Sequence, residues 1–438
     1  MAPVSLLPQS YPLREFTKAQ SLSTSMNSLL DRVSTDSAWL NSVLSASAAS
    51  DPDFTGRLLS LHNKILAAND GVQRGGRLGI IRSDYMLSGV GDDAVIKQIE
   101  LNTIASSFAG LSTRISQMHS HIVRRFDLNY PPSSLPSNSK LISNLASSLS
   151  TAHNSYLKKY ESAQILFVVQ DGESNTADQN ILESTLFELH DIKVIRKTLQ
   201  QITADITVID NRLILEGFEI SVCYFRSGYA PKDYGVDTES AWRAREIMES
   251  SISTCCPTLG YQLTGTKKVQ QELAREGGVE RFVEDEEEVE RIRGVFAGLW
   301  AFGGEMKEED KAAAKRAMES PEDFVMKPQR EGGGYNFYGK DIVDKMVEAG
   351  GATNLDEFIL MERLNPPKQD ATLLRGGEVE GRGPSLSELG IFSSVFVNED
   401  GEELVNKYDG YLLRTKFDGV DEGGVASGFA TLSSISAT

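Results

Sequence analysis

Apolar residues recur at helical spacing across residues 12–70: Leu29, Leu30 and Val33, then Leu40, Val43 and Leu44, then Leu58, Leu59, Leu61 and Ile65. Asp51-Pro52-Asp53 breaks the series as a turn. Val95 to Asn102 is a short alternating run that predicts a strand, and residues 104–126 return to helical spacing. A Pro/Ser cluster opens 131–155 and is the best boundary candidate in the first half. From Ile165 the pattern changes. Ile165-Leu166-Phe167-Val168-Val169 is continuous and apolar, of buried-strand length. A polar loop (Gln170 to Asp178), a helical segment and a second strand at Lys193-Val194-Ile195 follow. That rhythm predicts a parallel α/β sheet, in which ligands meet the loops at the carboxyl ends of strands.

Residues 213–225 predict a hairpin around Glu216-Gly217. Residues 267–320 look mostly helical and charged. Their acidic run, Glu284 to Glu288, reads as a solvated helix face rather than a metal site. A strand at Phe324-Val325-Met326-Lys327, a glycine run at 332–334, a helix from about Lys340 and a strand ending at Met361 come next. A Gly/Arg-rich loop is expected at 375–383. The last sixty or so residues predict antiparallel strands, Ile391 to Val397 and Tyr411 to Lys416, joined through Asp400-Gly401.

Composition is that of a globular chain: 438 residues, 40% hydrophobic and 24% charged, which excludes disorder, collagen and coiled coil as descriptions of the whole. The formal charge of -18 disfavours non-specific nucleic-acid and membrane-surface binding. Three cysteines without zinc spacing suit a reducing compartment, and no secretory signal or membrane span is evident, so a cytoplasmic location is expected.

Candidate chemistry lies elsewhere than in histidine. His119 and His121 stand two apart on a helix and point to different faces, and no nucleophile-elbow or zincin pattern occurs. Gly260 to Lys268 nearly mimics a phosphate loop, but Thr266 intervenes before the lysines. Taken alone it is a turn and helix start with Lys267 and Lys268 solvated. Lys327-Pro328-Gln329-Arg330-Glu331-Gly332-Gly333-Gly334 is stronger. A strand delivers two cations and a carboxylate into glycines whose backbone N–H groups can cradle an anion, and Glu331 offers oxygen to Mg²⁺. Glu100 and Asn102 share one strand face, as Mg²⁺ ligands or as a strand-end cap, and Arg414 and Lys416 share another. Arg82 and Arg226 could each fix a substrate carboxylate or pair with a nearby acid.

Ile99-Glu100-Leu101-Asn102-Thr103-Ile104, Lys327 to Gly334, Ser387-Glu388-Leu389-Gly390-Ile391-Phe392 and Leu412 to Lys416 together resemble the eukaryotic-type glutathione synthetases, in order and spacing, from roughly residue 50 to 428. The resemblance implies an α/β ATP-grasp fold, a homodimer, Mg²⁺, and ligation of γ-glutamylcysteine to glycine at the expense of ATP. It implies a core of residues 1–161, 267–326 and 390–438, an inserted substrate-binding parallel α/β domain at 162–266, and a mobile lid at 327–389. Carried over by position, Glu100, Asn102 and Glu331 match metal ligands. Lys267, Lys327, Gly332, Gly333, Gly334, Asn336, Tyr338, Met361, Glu362, Arg363, Leu364, Glu388, Lys416 and Glu422 match the ATP site, with Glu100 and Glu331. Arg82, Ser106, Ser107, Glu173, Ser174, Asn175, Gln179, Arg226, Tyr229, Arg414, Val425 and Ala426 match the substrate side. Arg330, Lys327 and Arg414 are the expected catalytic cations.

The chain departs from the family pattern at Ala105-Ser106-Ser107, where Ser-Ala-Ser is usual, and at Tyr335, Glu422 and Ser427. The last lies beside Ala426 and bears on the acceptor amine, glycine or β-alanine. A non-catalytic nucleotide-binding relative is the other reading, and retention of Glu100, Asn102, Lys327 and Glu331 weighs against it.

Overall fold

A computed structural model describes residues 2–71, 73–89, 91–304, 306–329 and 335–438. The N-terminal helical spacing resolves into Leu13–Thr35, Ser37–Ser50 and Thr55–Ala68, broken where Asp51-Pro52-Asp53 predicts a turn. Leu29, Leu30, Val33, Leu40, Leu44, Leu58 and Ile65 are all buried.

The described strands build a thirteen-stranded sheet. Its middle is antiparallel: Val95–Asn102 pairs with Arg77–Ser88, which pairs with Glu378–Val397, which pairs with Glu403–Phe417. Its other half is parallel apart from Ile206–Ile209 and Arg212–Leu215, which add antiparallel strands beside Phe218–Phe225. Thr254–Cys256 joins Arg77–Ser88 through Cys255 and Arg77, and Phe218–Phe225, Gln164–Val168 and Val194–Lys197 follow in register. Ile165 and Phe167 pack into one core cluster while Leu166 and Val168 pack into another. Both faces of that strand are therefore buried, which is why its sequence is apolar throughout rather than alternating.

A second, antiparallel sheet of four strands stands apart: Leu299–Ala301, Phe358–Glu362, Phe324–Pro328 and Phe337–Tyr338. Its outer face carries a small core, with Met326 and Leu360 against Ala313, Ala317, Ile342 and Met346 of the helices Glu308–Glu319 and Lys340–Glu348. Alternation along the strand then turns Val325 and Lys327 to the opposite face, toward the large sheet. The site lies between the two sheets.

Three expectations change. The Gly/Arg-rich stretch 375–383 is not a loop: Gln369–Arg375 and Glu378–Val397 form a hairpin over Gly376 and Gly377, both at positive φ (63° and 96°). Glycine composition predicts a loop, but cross-strand backbone bonds override it. Residues 267–320 are mostly helical as expected, in Lys267–Ala274, Glu286–Arg293 and Glu308–Glu319, but they also hold the unexpected strand Leu299–Ala301, and the helix expected from 104 begins at Ala109. The acidic run is solvated as expected. Asp285 caps the helix Glu286–Arg293, accepting from the Glu288 N–H at 2.8 Å, and the glutamates occupy the first turn, where the helix dipole favours them.

Candidate active site

Four neighbouring strands form the floor, and their register decides which side chains meet. Arg82 lies opposite Asn102, Asp84 opposite both Glu100 and Gly390, and Glu388 opposite Arg414. Because residues two apart share a face, Glu100 with Asn102, Arg82 with Asp84, Glu388 with Gly390, and Arg414 with Lys416 all present to one side.

The charges there are interleaved. Arg82 donates Nε and NH2 to the two oxygens of Asp84, each at 2.7 Å. Arg414 donates to Asp84 at 2.9 Å and pairs with Glu388 at 3.0 Å, and Lys416 reaches the other Glu388 oxygen at 3.0 Å. Burial alone would raise Glu388, but Lys416 and Arg414 hold its carboxyl below the usual range. Burial opposes ionisation of Glu100 too, yet Lys267, Lys327, Arg414 and Arg82 bring it down to about 2. Lys327, on the facing sheet, donates to the Ile99 carbonyl at 3.0 Å. Burial, aided by Lys267, lowers it to about 8 against the pull of Glu100, Glu388 and Glu422. Arg82, Lys267, Lys327, Arg414 and Lys416 thus line one cavity of about 580 Å³, together with Arg226, Lys232, Arg363 and Lys368, a volume ordinary for small-molecule sites, which run from roughly 300 to 1,000 Å³.

The cavity has two ends. At one, Met361, Glu362, Arg363 and Leu364 lie beside Asn336 and Tyr338. Asn336 donates to Glu422 at 3.2 Å, and Arg363 pairs with Asp421 at 2.6 Å over the Tyr338 ring. At the other, Arg226 donates to the Ser106 carbonyl and the Ser107 hydroxyl, both at 2.6 Å. There Glu173 accepts from Gln170 at 3.2 Å and from the Asn175 N–H at 2.6 Å. Buried Nε atoms of Arg226 and Arg414 and the Asn175 Nδ2 have no protein partner, so this end carries donors for an anionic or carbonyl-bearing ligand. Ser174, Tyr229, Val425 and Ala426 complete the lining.

Of the described residues expected in the site, Gln179 alone does not line the cavity. It sits behind the wall, donating to Glu173 at 3.0 Å and accepting from Arg196 at 2.7 Å. Arg330, Glu331, Gly332, Gly333 and Gly334 lie outside the described residues. Lys267 and Lys268 are buried, not solvated. Lys267 opens the helix Lys267–Ala274 and lines the cavity, while Lys268 turns inward to Gln271 and Glu272 at 2.8 and 2.9 Å. Sequence pattern does not single out Lys232 or Lys368, whereas Arg82 and Asp84 follow the same two-apart rule that picks out Glu100 with Asn102.

Among the described residues, no three His, Cys, Asp or Glu side chains group to hold a metal. The candidate donors are Glu100, anionic at neutral pH, and the Asn102 amide oxygen. That set suits Mg²⁺, which takes one or two protein carboxylates and otherwise binds phosphate and water. Among the described residues no helix is long and apolar enough to cross a membrane.

The fold matches a solved structure, a glutathione synthetase-like effector of Globodera pallida in its apo form, with a TM-score of 0.75 over 100% of this chain and 91% of that one, at 22% identity. Sequence comparison gives more. The chain is 41% identical to the chloroplastic glutathione synthetase of Solanum lycopersicum over 99% of its own length and 77% of the relative's. It is 37% identical to the glutathione synthetase of Homo sapiens over 98% and 89%. The model of the eukaryotic glutathione synthase ATP-binding domain matches residues 1–436, and with that span the chain belongs to the eukaryotic glutathione synthase family.

Proposed function

We propose that this chain joins γ-glutamylcysteine to glycine with ATP, giving glutathione, ADP and phosphate. The observation that carries the reading is the convergence of Arg82, Lys267, Lys327, Arg414 and Lys416 on one cavity over Glu100 and Asn102, in a chain 37–41% identical to glutathione synthetases. Such a set fits phosphoryl transfer between anionic substrates, where positioning and electrostatic stabilisation supply most of the rate.

In this reading an oxygen of the cysteinyl carboxylate attacks the γ-phosphorus of ATP and ADP leaves. The glycine amine then attacks the acylphosphate carbon, the C–O bond breaks, and phosphate departs with that oxygen. Lys267, Lys327 and Arg330 hold the phosphoryl oxygens. Asn336, Tyr338 and the segment Met361, Glu362, Arg363 and Leu364 hold the nucleotide, with Glu388, Lys416 and Glu422. Arg82, Ser106, Ser107, Glu173, Ser174, Asn175, Arg226 and Tyr229 hold γ-glutamylcysteine, and Gln179 supports Glu173. Arg414, Val425 and Ala426 bound the acceptor end. Mg²⁺, held by Glu100, Asn102 and Glu331, would neutralise the phosphates and polarise the transferred group.

Residues 327–389 act as a lid that excludes water from the acylphosphate, and 162–266 as the substrate-binding insert on a core of 1–161, 267–326 and 390–438. The small four-stranded sheet, with its own core, joins Phe337–Tyr338 and Phe358–Glu362 of that lid to Leu299–Ala301 and Phe324–Pro328, which begin before it. The enzyme works as a homodimer in the cytoplasm, consistent with three buried free cysteines. Substrate labelled with oxygen-18 in the cysteinyl carboxylate tests the mechanism. Label appearing in inorganic phosphate supports the acylphosphate, and unlabelled phosphate excludes it.

A further inference from the structure

We propose that Asp84 is a positioning residue of this reaction, one carboxylate that aims two arginines and an amide at the substrates. The role rests on the reading of the site given above. Asp84 is fully buried in the middle of the floor. A bidentate arginine would by itself pair a buried carboxylate, and Arg82 supplies one. Yet Asp84 also accepts from Arg414 at 2.9 Å and from the Asn102 Nδ2 at 3.1 Å. Burial pushes the Asp84 carboxyl above its usual range, and the two guanidiniums in contact with it pull the other way.

Each contact leaves its partner one way to face. The Asn102 Nδ2 also donates to Glu100 at 3.2 Å and to the Arg82 carbonyl at 3.3 Å. Flipping that amide would set its oxygen against three acceptor oxygens, so the oxygen must point away from Asp84. Arg82 spends Nε and NH2 on Asp84, which leaves NH1, held only by a long 3.5 Å contact to the Ser107 carbonyl, as the donor for a ligand. Arg414 spends NH2 on Asp84 and Glu388 and keeps a buried, unpartnered Nε. Space for the hub comes from Gly390 across the strand pair. A Cβ there would lie 2.8 Å from an Asp84 oxygen and 2.9 Å from the Arg82 Cδ.

Asp84→Asn keeps the shape but sets an amide NH2 among guanidinium donors and frees the Asn102 amide to turn. A charge-assisted hydrogen bond contributes about 1.5–3 kcal/mol, so γ-glutamylcysteine should bind roughly tenfold to a hundredfold more weakly. The first readout is its dissociation constant by calorimetry without ATP or divalent cation. The second is ATP binding without divalent cation, which should stay within about threefold because Lys267 and Lys327 do not touch Asp84. Steady-state assays should show a raised KM for γ-glutamylcysteine together with a lowered kcat. Asp409→Asn serves as the structural control. Asp409 is equally buried, bonded to Ser394 beside Lys407, and lines no part of the cavity. It should lower the melting temperature and leave both dissociation constants alone.

Wild-type affinity for γ-glutamylcysteine in Asp84→Asn, with only a lowered melting temperature, would overturn the proposal. If that variant does not fold, Gly390→Ala displaces the carboxylate while keeping its charge. It should weaken the same ligand, and unchanged affinity there overturns the proposal equally. A wild-type protein that binds no γ-glutamylcysteine would instead refute the functional reading itself, and this role with it.

Discussion

Replacing Glu388 with Gln separates the charge of one buried carboxylate from its shape. Its two oxygens meet the Arg414 NH2 and the Lys416 Nζ, each at 3.0 Å. An amide can accept from one cation only and must turn its NH2 on the other. Removing one partner of a buried ion pair costs about 3–5 kcal/mol. Arg414 keeps Asp84 and Lys416 keeps the Asp421 carbonyl at 2.7 Å, so the cost sits at the low end, about 3 kcal/mol. Unfolding entropy of about 2.1 cal/mol/K per residue gives roughly 0.9 kcal/mol/K for a chain of this length, so the melting temperature should fall by about 3 °C. The pH dependence has a definite sign. The folded-state pKa lies below the ordinary 4.5. The glutamate therefore contributes fully above that value, and the gap between wild type and variant closes as pH falls through the folded pKa. Phosphate should stabilise the variant more than the wild type, because the variant leaves a cation uncompensated. Scanning calorimetry from pH 8 down to the acid limit of folding, with and without phosphate, checks all three. Melting within 1 °C of wild type at pH 7, with no added phosphate response, would refute the reasoning.

Gly423→Ala would put a Cβ 2.3 Å from both Glu388 oxygens and push the 418–424 loop off the floor. A displacement near 1 Å in a positioning element costs about 100-fold, so kcat/KM for ATP should drop by that order, and an unchanged value in steady-state assays would exclude the close approach. His119 is buried between the Ser434 hydroxyl at 2.8 Å and the Ser5 carbonyl at 2.9 Å, and burial lowers its pKa to about 4. The unfolded chain takes up that proton near 6.5 and the folded chain only near 4, so stability falls across that window by about 3 kcal/mol. His119→Gln should flatten that part of the stability-against-pH curve in denaturant titrations.

Local pattern carried far in this chain. The strand Val95–Asn102, the N-terminal helical region with its turn at Asp51-Pro52-Asp53 and the hairpin at Glu216-Gly217 were legible because period and turn chemistry are local properties, whereas the break at Asp36 between Leu13–Thr35 and Ser37–Ser50 was not. Pairs two apart on a strand predicted shared faces for Glu100 with Asn102 and for Arg414 with Lys416, and both pairs face the cavity. Cross-strand register was not legible. Asp84 matters because residues 102, 390 and 414 arrive beside it, and nothing near it in sequence announces them. The burial around Lys268 was no more legible: its backbone N–H is held by Gln329, 61 residues away in the chain. The strands Val4–Ser5 and Gln9–Tyr11 exist only through pairing with the C-terminal half, the first between Gln369–Arg375 and Thr431–Ser433 and the second against Ile435–Ala437. Their sequences carry no independent strand signal.

The most direct test is ADP release by the purified chain with Mg²⁺-ATP, measured with γ-glutamylcysteine and glycine together, with each omitted in turn, and with β-alanine in place of glycine. Release that requires both co-substrates is the expected result, and the ratio of glycine to β-alanine rates identifies the acceptor beside Ala426 and Ser427. ATP binding with no ADP released in any mixture would contradict the ligase reading and leave a nucleotide-binding relative that does not turn over.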